Sequence, residues 1–438
     1  MCGFLLLIAA FALAATATAR AGDDPLAPGL ERFESTTGWS MHGFVELRLG
    51  MRLHDDPHQD DLTVGDLPRL QLELSRYWGP TTLQLRADFL NDEVTNQRDL
   101  DLERGRGWLD LREANVAFSP FDFMDVKVGR QILTWGTGNL IFINDLFPKD
   151  WQSFFAGRDT EYLKAPSDAV FVSLFHDLGT LDIAITPRFD ADRFITGERN
   201  SFWNGALGRR SGHDAIVDAD IPNRWGSDAE IALRLSRMLG AWEVAGYGYR
   251  GFWKSPAGAD SQTGQATFPE LAVYGASLRG PALDGIVNAE IGYYDSLDDR
   301  GGSDPYVANS ELRALLGYSR ELAQDLSIGL QYYVEARLHH DSLAASLPDA
   351  AETPDEYRQV ATLSLTKLTM NQNLILNSFL YVSPTDQDLY WRPSATWKAN
   401  DFWQFSVGAN VFAGQQTHTF FGQFEPSTNV YIAARRSF

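Results

Sequence analysis

The chain has 438 residues and no Pro-, Ser- or Gly-rich stretch that would separate two domains, so one large fold must account for its length. Its formal net charge of −21 argues against nucleic-acid binding, which requires clustered Lys and Arg. Mean hydropathy is −0.24, and no apolar run reaches the roughly 18 residues of a membrane-spanning helix.

The N-terminus is predicted to be a cleaved signal peptide, residues 1–21. Residues 4–15 form an apolar run of signal-peptide length, and Ala19 and Ala21 provide the small residues of a small-x-small cleavage site before Gly22. No Lys or Arg precedes the apolar run, which departs from the usual pattern. The only cysteine, Cys2, also precedes that run, which excludes a lipoprotein reading and leaves no thiol after cleavage. Residues 22–38 are predicted to be a short periplasmic extension.

From residue 39 to residue 438 the sequence repeats one unit, a strand of about ten alternating residues followed by a turn. The clearest case is residues 326–339, where Leu330 and Tyr332 belong to an apolar face and Tyr333 and Glu335 to the other. Successive side chains of a strand point to opposite sides. The polar face carries both signs of charge on strand after strand, which favours a hydrated lumen over the surface of a soluble sandwich.

The connections between predicted strands alternate in length. Tight turns are predicted near Gly79-Pro80, Ser119-Pro120 and six later positions, and longer polar connections lie between them, except for the short one at 384–387. Short periplasmic turns and long extracellular loops are typical of outer-membrane barrels. The predicted fold is therefore all-β: a transmembrane, antiparallel, up-and-down β-barrel of about 18 strands, with both termini periplasmic.

One long connection, residues 136–166, is rich in Phe, Ile, Leu and Trp. Burying each such side chain stabilises by about 1.5–3 kcal/mol, so these side chains should not stay in water. We expect this loop to fold into the barrel and constrict it; the alternative is a hydrophobic plug that only rigidifies the wall. The constriction-loop candidates are Phe142, Asn144, Asp145, Phe147, Lys149, Trp151, Phe155 and Arg158.

Charged residues on the predicted inner faces form a second candidate set. They could pair across strands, each pair contributing a few tenths to about 1 kcal/mol, or they could create an electric field that orients solutes. The pore-lining candidates are Glu46, Arg48, Arg69, Glu73, Arg86, Asp88, Arg188, Glu290, Glu335, Arg337 and Arg392.

Two interpretations are also open for the acidic residues and for the aromatic residues. Acid clusters in the long connections could provide solubility or attract cations to a pore mouth; they include Asp55, Asp56, Asp60, Asp61, Asp298, Asp299, Asp304, Asp349, Glu352, Asp355 and Glu356. Aromatic residues near strand ends, such as Tyr77 and Trp78, could form an interfacial girdle or a stacking track for sugars.

Two segments carry a family resemblance. Residues 112–116 (Arg-Glu-Ala-Asn-Val) and 128–131 (Val-Gly-Arg-Gln), followed by Trp135-Gly136, resemble the early strands of Gram-negative porin-like barrels, including the phosphate-selective and alginate-export types. The match covers about a tenth of the chain and says little about substrate. It implies passive diffusion or facilitated export, with no chemistry in the protein.

The final strand, ending at Phe438, looks like the recognition signal of outer-membrane barrels. Val430, Ile432 and Ala434 alternate toward the terminal Phe, while Arg436 departs from that pattern. The resemblance implies recognition by the barrel-assembly machinery, and outer-membrane lipid and a small solute as the other partners.

Enzyme and cofactor motifs are missing from the sequence. It has no Gly-x-Ser-x-Gly, His-Glu-x-x-His or P-loop, and no histidine is expected beside a serine as a lipid hydrolase would need. His339, His340 and Asp341 have no partner at metal-ligand spacing. The sequence therefore favours a passive channel over an enzyme. The alternative is a barrel that holds a partner, such as an electron-transfer cytochrome or an export system.

Overall fold

The computed structural model describes residues 26–94, 99–347 and 353–438. The predicted signal peptide and Cys2 lie outside the described residues, and so do Asp349 and Glu352. The predicted extension contains helix α1 (Ala27–Thr37), which ends at Gly38 with a left-handed φ of 70°. No helix in the described ranges is long and apolar enough to cross a membrane.

Eighteen antiparallel strands form one sheet that closes into a barrel. They are β1 (Ser40–Arg52), β2 (Leu62–Trp78), β3 (Thr81–Asp92), β4 (Leu109–Phe121), β5 (Met124–Gln131), β6 (Ser167–His176), β7 (Gly179–Thr186), β10 (Glu230–Leu239), β11 (Trp242–Phe252), β14 (Glu270–Ala282), β15 (Gly285–Ser296), β16 (Glu311–Ala323), β17 (Leu326–Arg337), β18 (Tyr357–Thr369), β19 (Leu374–Ser383), β20 (Asp388–Lys398), β21 (Trp403–Gly414) and β22 (Asn429–Ser437). Two small hairpins in the connections complete the numbering: β8 (Phe202–Asn204) with β9 (Arg209–Ser211), and β12 (Gly258–Ala259) with β13 (Ala266–Thr267).

The barrel closes between its first and last strands, where Phe44 is opposite Ser437. Each barrel strand otherwise pairs with the next barrel strand along the chain. Closure pairs the backbone groups of every strand within the protein, which is what hydrocarbon surroundings require. The predicted fold class and strand number are confirmed.

The predicted alternation of faces is present on β17. Leu330 and Tyr332 are 47% and 46% exposed, whereas Tyr333 is 6% exposed. The same outward exposure of large apolar side chains recurs around the wall, for example at Leu316, with 61%. An apolar outer belt around a barrel is stable in lipid and unfavourable in water.

Connections at one rim are short and those at the other rim are mostly long. The turn predicted near Ser119-Pro120 lies slightly later in the chain: β4 continues to Phe121, and the chain turns at residues 122–123. The pairing of β4 with β5 shifts register between Phe118 and Phe121, so the irregularity lies inside the strand pair and not at its turn.

Candidate functional site

Residues 136–166, called the inner loop below, run through the barrel interior from one wall to another. The loop contains helix α2 (Trp151–Ala156) and a 3₁₀ helix at Thr160–Leu163. Phe154 and Phe155 are each 2% exposed. Three sets of contacts with inward-facing wall residues hold the loop.

The first set holds the beginning of the inner loop against β15. The Glu290 carboxylate accepts hydrogen bonds from the backbone N–H groups of Thr137 and Gly138, the second at 2.8 Å. It also accepts one from the Asn144 side-chain amide at 3.0 Å. Next to it, Gln331 on β17 exchanges two hydrogen bonds with the backbone of Asn139, at 2.6 and 2.8 Å. The wall therefore supplies the partners of this irregular backbone.

The second set is an aromatic cluster around α2. The Phe155 ring centroid lies 5.4 Å from those of both Tyr390 on β20 and Phe412 on β21, and 4.8 Å from that of Phe424. The Tyr390 hydroxyl donates to the Phe154 carbonyl at 3.3 Å. These rings explain why the loop needs its apolar residues: they fill the space between the helix and the wall.

The third set is ionic and holds the end of the inner loop. Arg48 on β1 donates to the Gly157 carbonyl at 2.6 Å and lies 2.5 Å from the Asp159 carboxylate. Arg435 on β22 also lies 2.5 Å from Asp159. Burial alone would raise the pKa of Asp159, but these two guanidinium groups outweigh it and hold the pKa below its usual range. Arg158 contacts Asp66 at 2.6 Å.

The remaining loop candidates contact one another. Lys149 Nζ lies 3.0 Å from the Asp145 carboxylate and donates to the Phe147 carbonyl at 2.6 Å. It also lies 4.7 Å from the centroid of the Phe142 ring. Trp151 donates from Nε1 to Asp192 at 3.0 Å. This buried lysine is therefore compensated in charge and hydrogen bonding.

Most pore-lining candidates lie on the inner face and are paired. Three arginines dominate the pairs: Arg48 with Glu46 at 2.8 Å, Arg69 with Asp88 at 2.6 Å, and Arg86 with Glu73 at 3.4 Å. On the other wall, Glu335 lies 3.6 Å from Arg313, and Arg337, at the end of β17, donates to the Asp355 carbonyl. Ion pairing is therefore the prevailing state of these charges, within β1 for Arg48 and between neighbouring strands for Arg69, Arg86 and Glu335.

Two candidates differ from this pattern. Arg188 lies beyond the end of β7, in a long connection where it pairs with Glu103, so its assignment to the barrel wall is wrong. Arg392 stacks over Phe154, with its guanidinium carbon 3.9 Å from the ring centroid. In the part of the chain that the structure describes, no carboxylate forms an ion pair with Arg392.

Several lumen residues were missed because register shifts change which way they point. The β2–β3 pairing shifts between Asp66 and Arg69, and both are buried at the lumen face although their positions have opposite parity. A second shift, in the β3–β4 pairing, leaves Arg112 without an opposite residue and buries it beside Glu113. An alternating pattern assigns only one residue of each pair to the lumen.

The connection at residues 187–229 also enters the barrel mouth, which the sequence did not indicate. Arg193 lies 2.7 Å from Asp110 on β4 and 3.3 Å from Asp150 of the inner loop. Arg199 pairs with Asp92 on β3. These arginines look like ordinary surface charges in the sequence, so nothing in its local composition marked the segment.

An aromatic-lined cavity of about 780 Å³, called the aromatic chamber below, lies between the inner loop and the long connections. Its lining includes Phe142, Trp151, Trp203, Trp253, Tyr294 and Phe424. Arg313 lies at its edge, with the guanidinium carbon 4.0 Å from the centroid of the Tyr294 ring. The chamber is therefore lined mainly by aromatic and other apolar side chains, with a few charged side chains among them.

The structure corrects one expectation about enzyme chemistry. Ser40 Oγ lies 3.1 Å from His42 Nε2 on the same strand, although no serine–histidine neighbours were expected. Within the described ranges no carboxylate is in ion-pair contact with His42, so the pair lacks the acid of a hydrolase triad. The described residues also include no group of three or more His, Cys, Asp or Glu placed to hold a metal.

No protein-family model matches this sequence, and no curated protein matches it. Solved structures do resemble the fold. Acinetobacter baumannii OccAB1 aligns over 92% of this chain and 96% of its own, with 10% identity and a TM-score of 0.50. Pseudomonas aeruginosa OccK11 (OpdR) aligns over 91% and 96%, with 9% identity and a TM-score of 0.49. The outer membrane channel DcaP of Acinetobacter baumannii aligns over 91% and 97%, with 10% identity and a TM-score of 0.40. The chain therefore has the fold of outer-membrane porins and channels.

Proposed function

We propose that the chain is a porin-like channel in the outer membrane of a Gram-negative bacterium. Small to medium solutes cross it by passive or facilitated diffusion, and the inner loop sets its bore. The observation that carries the proposal is the anchoring of this loop at opposite walls, to Glu290 on β15 and to Arg48 on β1. A segment that is held at both ends across a lumen narrows the lumen permanently.

The water-facing edge of the inner loop supports a constriction more than a solid plug. Asn139, Thr160 and Glu161 are exposed, although the loop residues between Ile143 and Arg158 are mostly buried. Exposed polar groups within a barrel line water, because burial without partners would be costly. These three residues are therefore expected at the margin of the open bore.

A barrel that sheathes a partner protein agrees less well with the structure. Such a partner would need the space that α2 and its aromatic neighbours occupy, and Phe155 is packed against rings from two wall strands. Displacing the loop would also expose Asp66 and Arg158, which pair with each other.

The last strand, ending at Phe438, is expected to serve recognition by the barrel-assembly machinery.

Planar-bilayer recording of the purified barrel tests the channel directly. Steady ohmic steps are expected, and deletion of residues 139–162 should enlarge them. If the deletion leaves the conductance unchanged, the inner loop does not set the bore. The deletion also removes Asn144, which donates to Glu290, and Arg158, which pairs with Asp66, so a variant that keeps the loop is needed as well.

The second variant uses the absence of cysteine after the predicted leader. Thr160→Cys places a thiol at the exposed edge of the inner loop, and a bulky thiol reagent is expected to lower the conductance. Ser303→Cys, exposed in a connection at the rim with long loops, is the matched control and should conduct as before after labelling. Equal responses of the two variants would contradict the proposal.

A further inference from the structure

We infer that the aromatic chamber is a binding site for uncharged aromatic solutes on their way through the barrel. The inference rests on the proposed channel function, since it identifies a solute class for the same lumen.

The size of the chamber suits a small molecule. At about 780 Å³ it falls within the range of pockets that enclose metabolite-sized and drug-sized ligands. A polar cavity of about 660 Å³ lies beside it, lined by Arg337, Arg358 and Asp386. Phe420 and Arg313 line both cavities, so a solute could pass from charged surroundings into aromatic ones.

Aromatic rings surround the chamber on several sides. Trp151 and Phe142 come from the inner loop, and Trp203 comes from the hairpin β8–β9. Trp253 directly follows the end of β11, and Tyr294 lies on β15. Trp253 and Tyr294 are themselves packed together, with centroids 5.7 Å apart. Ring faces and edges from different directions favour a flat apolar guest that stacks on some and meets others edge-on.

The charged groups of the chamber already have partners. Lys149 lies 3.0 Å from Asp145, Lys254 lies 2.5 Å from Glu230, and Arg313 lies 2.6 Å from Glu311. The Asp192 carboxylate accepts three hydrogen bonds, from Lys149 N–H, Trp151 Nε1 and Ser255 Oγ. A charged solute would lose its water here and find no free counter-charge, which is unfavourable. An uncharged aromatic solute has no such penalty.

Three probes of one ring and different charge separate these cases: benzyl alcohol, benzoate and benzylammonium. Binding to the full-length barrel in detergent is measured by saturation-transfer difference NMR, which requires no conduction. Trp203→Ala removes a ring of the chamber without touching an anchor of the inner loop. Trp225→Ala is the matched control, because Trp225 is 72% exposed in the same connection.

Benzyl alcohol is expected to bind saturably, at least about tenfold more tightly than either ion, since each ion is desolvated without a partner. Trp203→Ala should weaken its binding by a factor of about 2 to 10, the range for loss of one aromatic contact, and Trp225→Ala should leave it unchanged. Tighter or equal binding of an ion, or no effect of Trp203→Ala, overturns the inference. If the barrel conducts but does not bind benzyl alcohol in this way, only the inference is contradicted. If it binds benzyl alcohol but does not conduct, the proposed function is contradicted.

Discussion

Arg158 Nη2 lies 2.6 Å from Asp66 Oδ1, which ties the end of the inner loop to β2. The side chain of Arg158 is 10% exposed and that of Asp66 is 0% exposed. Asp66 also pairs with Arg69 at 2.9 Å, and Arg158 with Asp92 at 2.9 Å. The carboxylates of two wall strands therefore share one cation that the loop supplies.

Removing that cation should destabilise the barrel. Arg158→Met keeps the length of the side chain but leaves buried carboxylates undercompensated, and we expect a loss of about 3 kcal/mol, the lower end for a broken buried pair because Arg69 remains. Urea unfolding in detergent micelles, followed by intrinsic fluorescence, gives the difference. Arg250→Met is the control: the side chains of Arg250 and of its partner Glu270 are 50% and 46% exposed, and the loss of Arg250 should change stability by less than about 0.5 kcal/mol. Similar losses of stability in the two variants would show that the ion pairs of Arg158 do not stabilise the barrel.

Glu290 should determine how firmly the beginning of the inner loop is held. In Glu290→Gln an amide N–H₂ replaces one carboxylate oxygen. The N–H₂ group cannot accept the hydrogen bonds that the N–H donors of the loop give to that oxygen. We expect a loss of about 1.5–3 kcal/mol, typical of hydrogen bonds to a charged group, and larger, noisier single-channel currents.

The matched control for that variant is Glu321→Gln. Glu321 accepts a hydrogen bond from the Asp325 N–H at a short turn, far from the inner loop in the chain. Its substitution should leave the current amplitude and noise as they are. If Glu290→Gln also conducts quietly at the original amplitude, the loop does not depend on this carboxylate.

The wall was predictable from the sequence because apolar and polar side chains alternate along a membrane-spanning strand. Glu46 and Arg48 have the parity of the inner face, and the structure places both there. Asp66 and Arg112 were not identified because their orientation depends on register shifts against the neighbouring strand. A shift is a property of two paired segments, so a single strand pattern does not reveal it.

The inner loop was predictable in composition but not in its contacts. Its apolar residues indicated burial, and Phe155 is indeed buried. Its packing partner Phe424 is remote in sequence, and only closure of the barrel brings the two together. The segment containing Arg193 gave no signal, because a long-range ion pair has no local pattern.

Stability should depend on pH through Asp190, which lies in the connection after β7. Burial raises the pKa of Asp190 to about 7, the Glu230 carboxylate adds to the rise and Lys254 opposes it. The unfolded-state value is about 3.9, so between those values the folded state binds more protons. The free energy of unfolding should therefore fall as pH rises from about 4 to about 7 and stay level above.

Asp190→Asn should remove that part of the slope, measured as the urea midpoint at several pH values. Asp260→Asn is the control, because hydrogen bonds from the Thr263 N–H and side chain lower the pKa of Asp260, which puts its effect below the window. A difference between the original chain and Asp190→Asn that is constant across the window would refute the assignment.

Arg392 should bias the lumen toward anions. It projects from β20 and stacks on Phe154 at 3.9 Å, and no ion pair within the described residues neutralises it. A unit charge about 7 Å from a passing ion is worth about 0.6 kcal/mol in water, or a factor of about 3. Arg392→Met keeps the apolar stem against the ring. Loss of the charge makes entry less favourable for an anion and more favourable for a cation, each by about that factor, so we expect the anion-to-cation permeability ratio to fall about sevenfold.

The reversal potential in a KCl gradient measures this ratio, and Arg392→Lys is the control that preserves the charge. Because Arg392→Lys keeps a cation at the same wall position, its reversal potential should stay near that of the original chain. If Arg392→Met also leaves the potential unchanged, ions do not pass near β20. The path would then lie along the wall of paired charges that includes Arg86 and Glu113, where opposite charges cancel and little selectivity is expected.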